Sequence, residues 1–187
     1  MIIEAGVRPI VIFDGKSLPM KEKVDEKRRL MREEALKKAV ALKEQGKLFE
    51  ARQKFLQAVH ISREVRDAFI RLLGHMKIEH YIAPYEADAQ LAYMFLTKRA
   101  QIIITEDSDL MVFGVTKCFF KMDKSGNGYE IDLVNLEKVS ELDFKSFTGD
   151  MFMKMAVLSG CDYIDSIKGI GIKKAHKLVL DQKNDDI

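Results

Sequence analysis

Cysteine is scarce: there are only two, Cys118 and Cys161, in 187 residues. They make no disulfide framework and no zinc-ligand spacing, so a reducing, intracellular compartment is the expectation. No apolar run is long enough to span a bilayer, and Met1-Ile2-Ile3-Glu4 lacks the basic start and apolar core of a secretory signal. Low-complexity tracts and a clear interdomain linker are also missing. Net charge is nearly absent at +2, which leaves segregation of charge along the chain as the informative quantity. The length suits one domain with a real core and is short for two. Charged residues, at 32%, exceed the usual quarter.

The charge is most telling where strands end. Gln101-Ile102-Ile103-Ile104-Thr105 is a β-branched apolar run, expected as a strand buried on both faces of a parallel sheet. It runs into Glu106, Asp107 and Asp109. Carboxylates this close persist if a cation sits among them or if all face water. Ligands of open α/β sheets bind beyond the carboxyl ends of strands, where this cluster falls. Residues 7–13 predict a second strand, with Pro9 near its start, ending at Asp14-Gly15. A third segment, Ile78–Ala83, is closed by Pro84, and Glu86 and Asp88 open the next helix. Taken singly, these acids are a turn, a helix start and an acidic loop. Together with Asp162 they form a set of hard oxygen donors, which suits Mg²⁺ or Mn²⁺ rather than zinc. Two such ions about 4 Å apart activate water and stabilise the leaving oxygen in phosphodiester cleavage.

Between the first two acidic tips lies a helical region. The pattern predicts a helix over 21–45 turning at Gly46, a second over about 48–60, and a third over 63–76 capped by Ser62, with Val65, Phe69, Leu72 and Leu73 as its apolar stripe. Residues 16–32 carry Lys16, Lys21, Lys23, Lys27, Arg28, Arg29 and Arg32 against Glu22, Asp25 and Glu26. This is either a solvated helix face or a surface that grips phosphates. His60, His75 and His80 match no ligand spacing and are expected to pack or face solvent. Residues 34–59 resemble a single tetratricopeptide-like hairpin, which alone cannot stack.

Further on, 116–122 and 129–131 predict a hairpin around Asp123–Gly128. That turn imitates a calcium loop, but its twelfth position is Val134, where a bidentate Glu is needed. Residues 151–159 predict an apolar helix ending at Gly160. Then Lys168-Gly169-Ile170-Gly171 opens a last helix bearing Lys173, Lys174 and Lys177. Backbone N–H groups exposed at such a turn, ringed by lysines, make a phosphate seat.

Val11–Gly15, Ala83–Ala92, Ile104–Leu110, Gly160–Tyr163 and Ile167–Gly171 together resemble the XPG/flap-endonuclease superfamily. Within it, Lys121–Asp132 and Gln45–Arg52 are most similar to its exonuclease branch. The resemblance covers essentially the whole chain and implies an α/β fold. That fold is a mainly parallel twisted sheet flanked by helices, the core of 5′-nucleases, with a basic helical arch over 16–60. An internal nuclease region comes next, over 61–150, and then a helix–two-turn–helix over 151–180. The resemblance also implies a nuclear, Mg²⁺-dependent enzyme of DNA repair. Such an enzyme acts as a 5′-to-3′ exonuclease and 5′-flap endonuclease on duplexes with a nick, gap, recessed 5′ end or flap. Longer relatives would engage mismatch-repair proteins.

Carried over by position, Asp88, Asp107 and Asp109 would ligate metal directly, with Asp14, Glu86 and Asp162 completing the cluster. Lys21 and Arg28 would approach the scissile phosphate. Lys168, Gly169, Ile170, Gly171, Lys173 and Lys174 would ride the duplex. Backbone carbonyls of Ser159, Ser166 and Ile170 would hold K⁺. The resemblance further implies a segment ahead of Val7 with a first strand, another metal-binding Asp and part of a DNA-bending wedge. None of these is in the sequence, so the core is expected to be N-terminally incomplete. Readings that compete with this one are a DNA-holding module without catalysis, a flap endonuclease proper, and a helical protein-interaction domain.

Overall fold

A computed structural model describes residues 1–164 and 166–185, with the side chains of 183–185 excepted. The chain divides into two compact units, one of residues 1–16 and 81–187 and one of residues 17–80.

The second unit is helical. A 3₁₀ turn, Pro19–Lys21, leads into α1 (Glu22–Glu44), and α2 (Leu48–Ala58) and α3 (Arg63–His75) come after it. The hairpin of α1 and α2 turns at Gly46, whose φ of +76° is left-handed and favours a residue without Cβ. The N–H of Lys47 closes the turn on the Leu42 carbonyl at 2.9 Å. The two helices approach closely because their buried contacts are alanines: Ala35, Ala39 and Ala51. Ser62 caps α3 as expected, its hydroxyl accepting from the Val65 N–H. The expected stripe of α3 is covered only at Leu73, however. Val65, Phe69 and Leu72 are each roughly half exposed, because this small unit offers them no facing apolar layer. His60 and His75 lie at the surface, and a ring nitrogen of His80 is 2.9 Å from the Ile78 carbonyl.

The first unit holds the strands, except for residues 79 and 80, and the larger cores. β1 (Ile10–Phe13) pairs with β2 (Glu79–Ile82) in a two-stranded sheet. The Ala83 N–H, just past β2, donates to the Phe13 carbonyl at 2.9 Å. After α4 (Ala87–Leu96) come β3 (Ile103–Thr105), the short α5 (Asp109–Val112), β4 (Lys117–Phe120) and β5 (Tyr129–Asp132). β3 and β4 are parallel with Ile103 opposite Cys118, and β4 and β5 form the expected antiparallel hairpin with Phe120 opposite Tyr129. The architecture is thus α/β with two small sheets. β3 is not buried on both faces. Ile103 points into the core while Ile104 is 44% exposed, because alternation along an edge strand leaves one face uncovered. β1 and β3 both line an apolar cleft of about 170 Å³ with Leu91 and Met94.

Two apolar clusters stabilise this unit. One gathers Ala92, Ile103, Leu110, Val115, Cys118 and Phe120 beneath the three-stranded sheet. The other, of Phe144, Met151, Met155, Ala175 and Val179, welds α6 (Gly149–Ser159) to α7 (Ile172–Asp185). Thr148 caps α6 through the Met151 N–H, and Gly160 ends it at φ +105°.

Candidate metal and nucleic-acid site

Asp14 stands at the end of β1, held there by the glycine beside it. An ideal Cβ on Gly15 would lie 1.8 Å from the Ala83 carbonyl oxygen, so only glycine lets the two backbones cross here. The crossing is fastened by the Gly15 N–H to the Tyr85 carbonyl at 2.6 Å and the Lys16 N–H to the Pro84 carbonyl at 3.2 Å. Asp14 Oδ1 then accepts the Ala87 N–H at 2.8 Å. That N–H is one of the donors a helix leaves unsatisfied at its first turn. Asp14 therefore caps α4 from 73 positions away, and sits beside Glu86, the residue before Ala87.

Glu86 is the N-cap of α4 and Asp88 lies in its first turn. Both are half-buried. Negative charge there is favoured by the helix dipole. The Tyr163 hydroxyl donates to Glu86 Oε2 at 2.7 Å, so the segment bearing Asp162 reaches the same helix start. Sequence reasoning missed this tyrosine. Its signal was its place directly after Asp162 in Gly160-Cys161-Asp162-Tyr163.

At the end of β3 the acids are organised by local backbone bonds. Thr105 Oγ1 accepts the Asp107 N–H at 3.0 Å, and Asp107 Oδ1 accepts the Asp109 N–H at 2.9 Å. This side-chain turn opens α5, with Glu106 and Asp107 exposed and Asp109 half-buried. Hence one oxygen of Asp14 and one of Asp107 already serve the backbone. Among the described residues, no three of Asp, Glu, His or Cys converge closely enough to enclose an ion. The donors that are present still fit Mg²⁺. They are all carboxylates, and Mg²⁺ keeps several waters and needs only one or two protein carboxylates beside a substrate phosphate.

The basic residues of the helical unit differ among themselves. Lys21 is buried, 6% exposed, at the end of the 3₁₀ turn, whereas Arg28 is exposed on α1. Arg29 is taken up within α1: Glu26 accepts two of its hydrogen bonds, at 2.9 and 2.6 Å, and Glu33 a third at 2.5 Å. The basic stretch is thus partly neutralised by its own helix.

Beyond α6, Gly160 packs against Ser166, since an ideal Cβ on Gly160 would fall 2.7 Å from the Ser166 Cβ. This brings the Ser159–Gly160 junction against Ser166. A turn closed by Ile170 N–H to the Ile167 carbonyl at 3.0 Å presents Lys168 and Gly169, both exposed. Gly169 has φ +82°; Gly171 has no such φ and nothing described within 4 Å of an ideal Cβ. Lys173, Lys174 and Lys177 are exposed on α7. The hairpin turn between β4 and β5 is held by Asp123 Oδ1, which accepts from Ser125 and Asn127 N–H groups at 2.8 and 2.9 Å. Its carboxyl is depressed below the ordinary value chiefly by the Asn127 bonds.

Comparison with known proteins places the chain among nucleases. The family described as the XPG I-region matches residues 77–162. Exonuclease 1 from Danio rerio is 44% identical over 187 residues, which is 100% of this chain and 23% of that protein. Flap endonuclease-1 from Methanococcus jannaschii superposes with a TM-score of 0.67 at 25% identity, covering 99% of this chain and 58% of that one. The catalytic core of Rad2 in complex with DNA substrate gives a TM-score of 0.66 at 24% identity, over 96% of this chain and 49% of that one. The chain spans about a quarter of the length of the exonuclease relatives it matches.

Proposed function

This chain belongs to the XPG/flap-endonuclease superfamily, and from that premise we propose that it is the core of a structure-specific DNA nuclease. It hydrolyses phosphodiester bonds from 5′ ends and at 5′ flaps, in nuclear DNA repair. The observation that carries this reading is the Asp14–Ala87 bond at 2.8 Å. It joins two acidic tips from distant sequence at one helix start, where Glu86 and, through Tyr163, the Asp162 segment also meet.

In this reading Asp88, Asp107 and Asp109 would hold divalent ions directly, and Asp14, Glu86 and Asp162 would complete the cluster. Such ions would supply Lewis acidity at the phosphodiester. The chain itself supplies position. Gly15 and the Asp14 cap fix the two strand ends, and the Thr105–Asp107–Asp109 turn fixes the third. The family resemblance assigns Arg28 and Lys21 to charge developing on the scissile phosphate; exposed Arg28 suits that role, and Lys21, 6% exposed, suits it less. The turn at 168–171 and the lysines of α7 hold the duplex through phosphates. Gly171 favours this role, because nothing described in the chain requires a glycine there, and a backbone approached closely by a ligand does. K⁺ at the carbonyls of Ser159, Ser166 and Ile170 would complete that seat. In longer forms, mismatch-repair proteins are the partners.

A second reading rests on the absence, among the described residues, of three converged acids: a module that holds DNA without cutting it. Labelled 5′-flap, nicked and recessed duplexes incubated with the chain and Mg²⁺ separate the two. The nuclease reading expects cleavage abolished by chelation and reduced roughly a thousandfold, about 4 kcal/mol of barrier, in Asp107→Ala. Cleavage indifferent to both would refute the site. Retained binding with no cleavage in the unaltered chain would leave the module.

A further inference from the structure

The proposed mechanism makes no use of His176, yet it is among the most buried polar residues described, at 6% exposure. It lies in α7 between Ala175 and Lys177, on a helix that also carries Lys173 and Lys174. Its ring stacks on Phe147, with centroids 5.1 Å apart and planes 12° from parallel, and meets Phe144 edge-on at 5.2 Å. Phe144 and Phe147 are themselves perpendicular at 5.1 Å, the edge-to-face arrangement that aromatic quadrupoles favour. Nε2 of His176 is 2.7 Å from the Asp143 carbonyl oxygen. A carbonyl only accepts, so Nε2 carries the hydrogen. The acceptor is held too, since Asp143 Oδ1 binds the Lys145 N–H at 2.9 Å and Phe147 N–H closes on the Phe144 carbonyl at 3.0 Å.

A phenyl ring or a leucine would fill this apolar space without any polar atom to satisfy. What the imidazole adds is direction. Stacking sets the plane of the ring and the hydrogen bond its azimuth, so His176 adds a directional restraint on the rotation of α7 to the packing of Ala175 and Val179. One residue is about 100° of helix. With Ala175, His176 and Val179 turned inward, Lys173, Lys174 and Lys177 are turned out, and the helix start at Gly171 is set with them.

We propose that His176 is a positioning residue for duplex DNA: through its bond to Asp143 it sets the rotation of α7 and so aligns Lys173, Lys174 and Lys177 with the phosphates. The duplex as ligand rests on the function proposed above; the clasp does not.

Two variants of the full chain test it. His176→Phe keeps a stacking ring and removes the donor. His176→Gln places an amide nitrogen at about the reach of Nε2 and restores it. Duplex binding is read by fluorescence anisotropy across a salt series, and amide hydrogen exchange at 175–178 is read without DNA. His176→Phe is expected to bind roughly three- to tenfold more weakly, the range of one lost neutral hydrogen bond. Its plot of log affinity against log salt should lose about one unit of slope per misaligned lysine. Exchange at those amides should rise severalfold in Phe and return in Gln. Equal affinity, slope and exchange in all three proteins would reduce His176 to a core filler and overturn the proposal. If the unaltered chain binds no duplex, the nuclease reading falls, and unchanged exchange in His176→Phe still overturns the clasp by itself.

Discussion

Residues 17–80 and the remainder of the chain are built on different interiors. The first unit buries Ile103, Leu110, Val115, Phe120, Phe144, Met151, Met155 and Val179, large side chains whose removal from water supplies most of a domain's stability. The helical unit buries little beyond Ala35, Ala39, Ala51, Leu73 and the lysine stem of Lys21. Its helices rest on propensity, on the close approach alanine allows, and on i,i+3 and i,i+4 pairs such as Arg29 with Glu26 and Glu33 and Lys38 with Glu34. The difference teaches where rigidity is placed. Acids that must keep fixed separations stand on the unit with the deep core, and the basic helices stand on the unit with the shallow one, the end of the stability range from which moving parts are drawn.

The strongest way to sharpen this contrast is Leu110→Ala. Leu110 is fully buried, and such truncations cost about 3–5 kcal/mol. Chemical denaturation followed by near-ultraviolet circular dichroism should show that loss, with the aromatic signal of Phe120, which packs in the same cluster, affected. A cost below about 1 kcal/mol would break the claim that this core carries the unit.

Ala39→Leu tests the other side. Ala39 is wholly buried in the α1–α2 contact, so a larger side chain forces the helices apart at about 1–3 kcal/mol. Hydrogen exchange should accelerate in α1 and α2 while amides of β4 stay protected. Equal acceleration in both units would mean that they unfold as one.

The smallest effect is one of pH. Hydrogen bonding by Arg29 holds the Glu26 carboxyl below its ordinary 4.5, and Lys38 does the same for Glu34. A depressed folded-state value contributes stability that is complete above 4.5 and fades as pH falls through the lowered value. Both groups are fully exposed, so the change is slight and screened by salt. Carbonyl shifts of α1 in a titration from about pH 6 to about pH 2 should report partial fraying below 4.5, weaker in high salt. Fraying that grew as pH rose would contradict the assignment.

Much of this was legible in the residues. The periodicity of α1, the glycine turn at Gly46 and the Ser62 cap are local signals, and local signals decide helices. The acidic tips were legible because strand ends and helix starts have recognisable punctuation at Asp14-Gly15 and Pro84. The hidden part depends on partners far along the chain. Nothing near Gly15 announces the Ala83 carbonyl that forbids a side chain there, and nothing near Tyr163 announces Glu86. His176 was hidden for another reason: a single histidine in a lysine-rich helix looks like one more surface charge until Phe144 and Phe147 are seen around it. The apolar stripe of α3 and the run at Ile102–Ile104 misled in the opposite sense, because periodicity shows which face is apolar and not whether anything covers it.

The crossing at Gly15 has an architectural effect as well. Because Lys16 and Gly15 are hydrogen-bonded to Pro84 and Tyr85, the chain leaves the strand-bearing unit and comes back to it through a single doorway. The 17–80 stretch is an excursion with both feet nailed to the same threshold. An excursion of this kind can lengthen, shorten or change its sequence at an entropic cost that grows only logarithmically, while the lintel that carries Asp14 and Glu86 is left undisturbed.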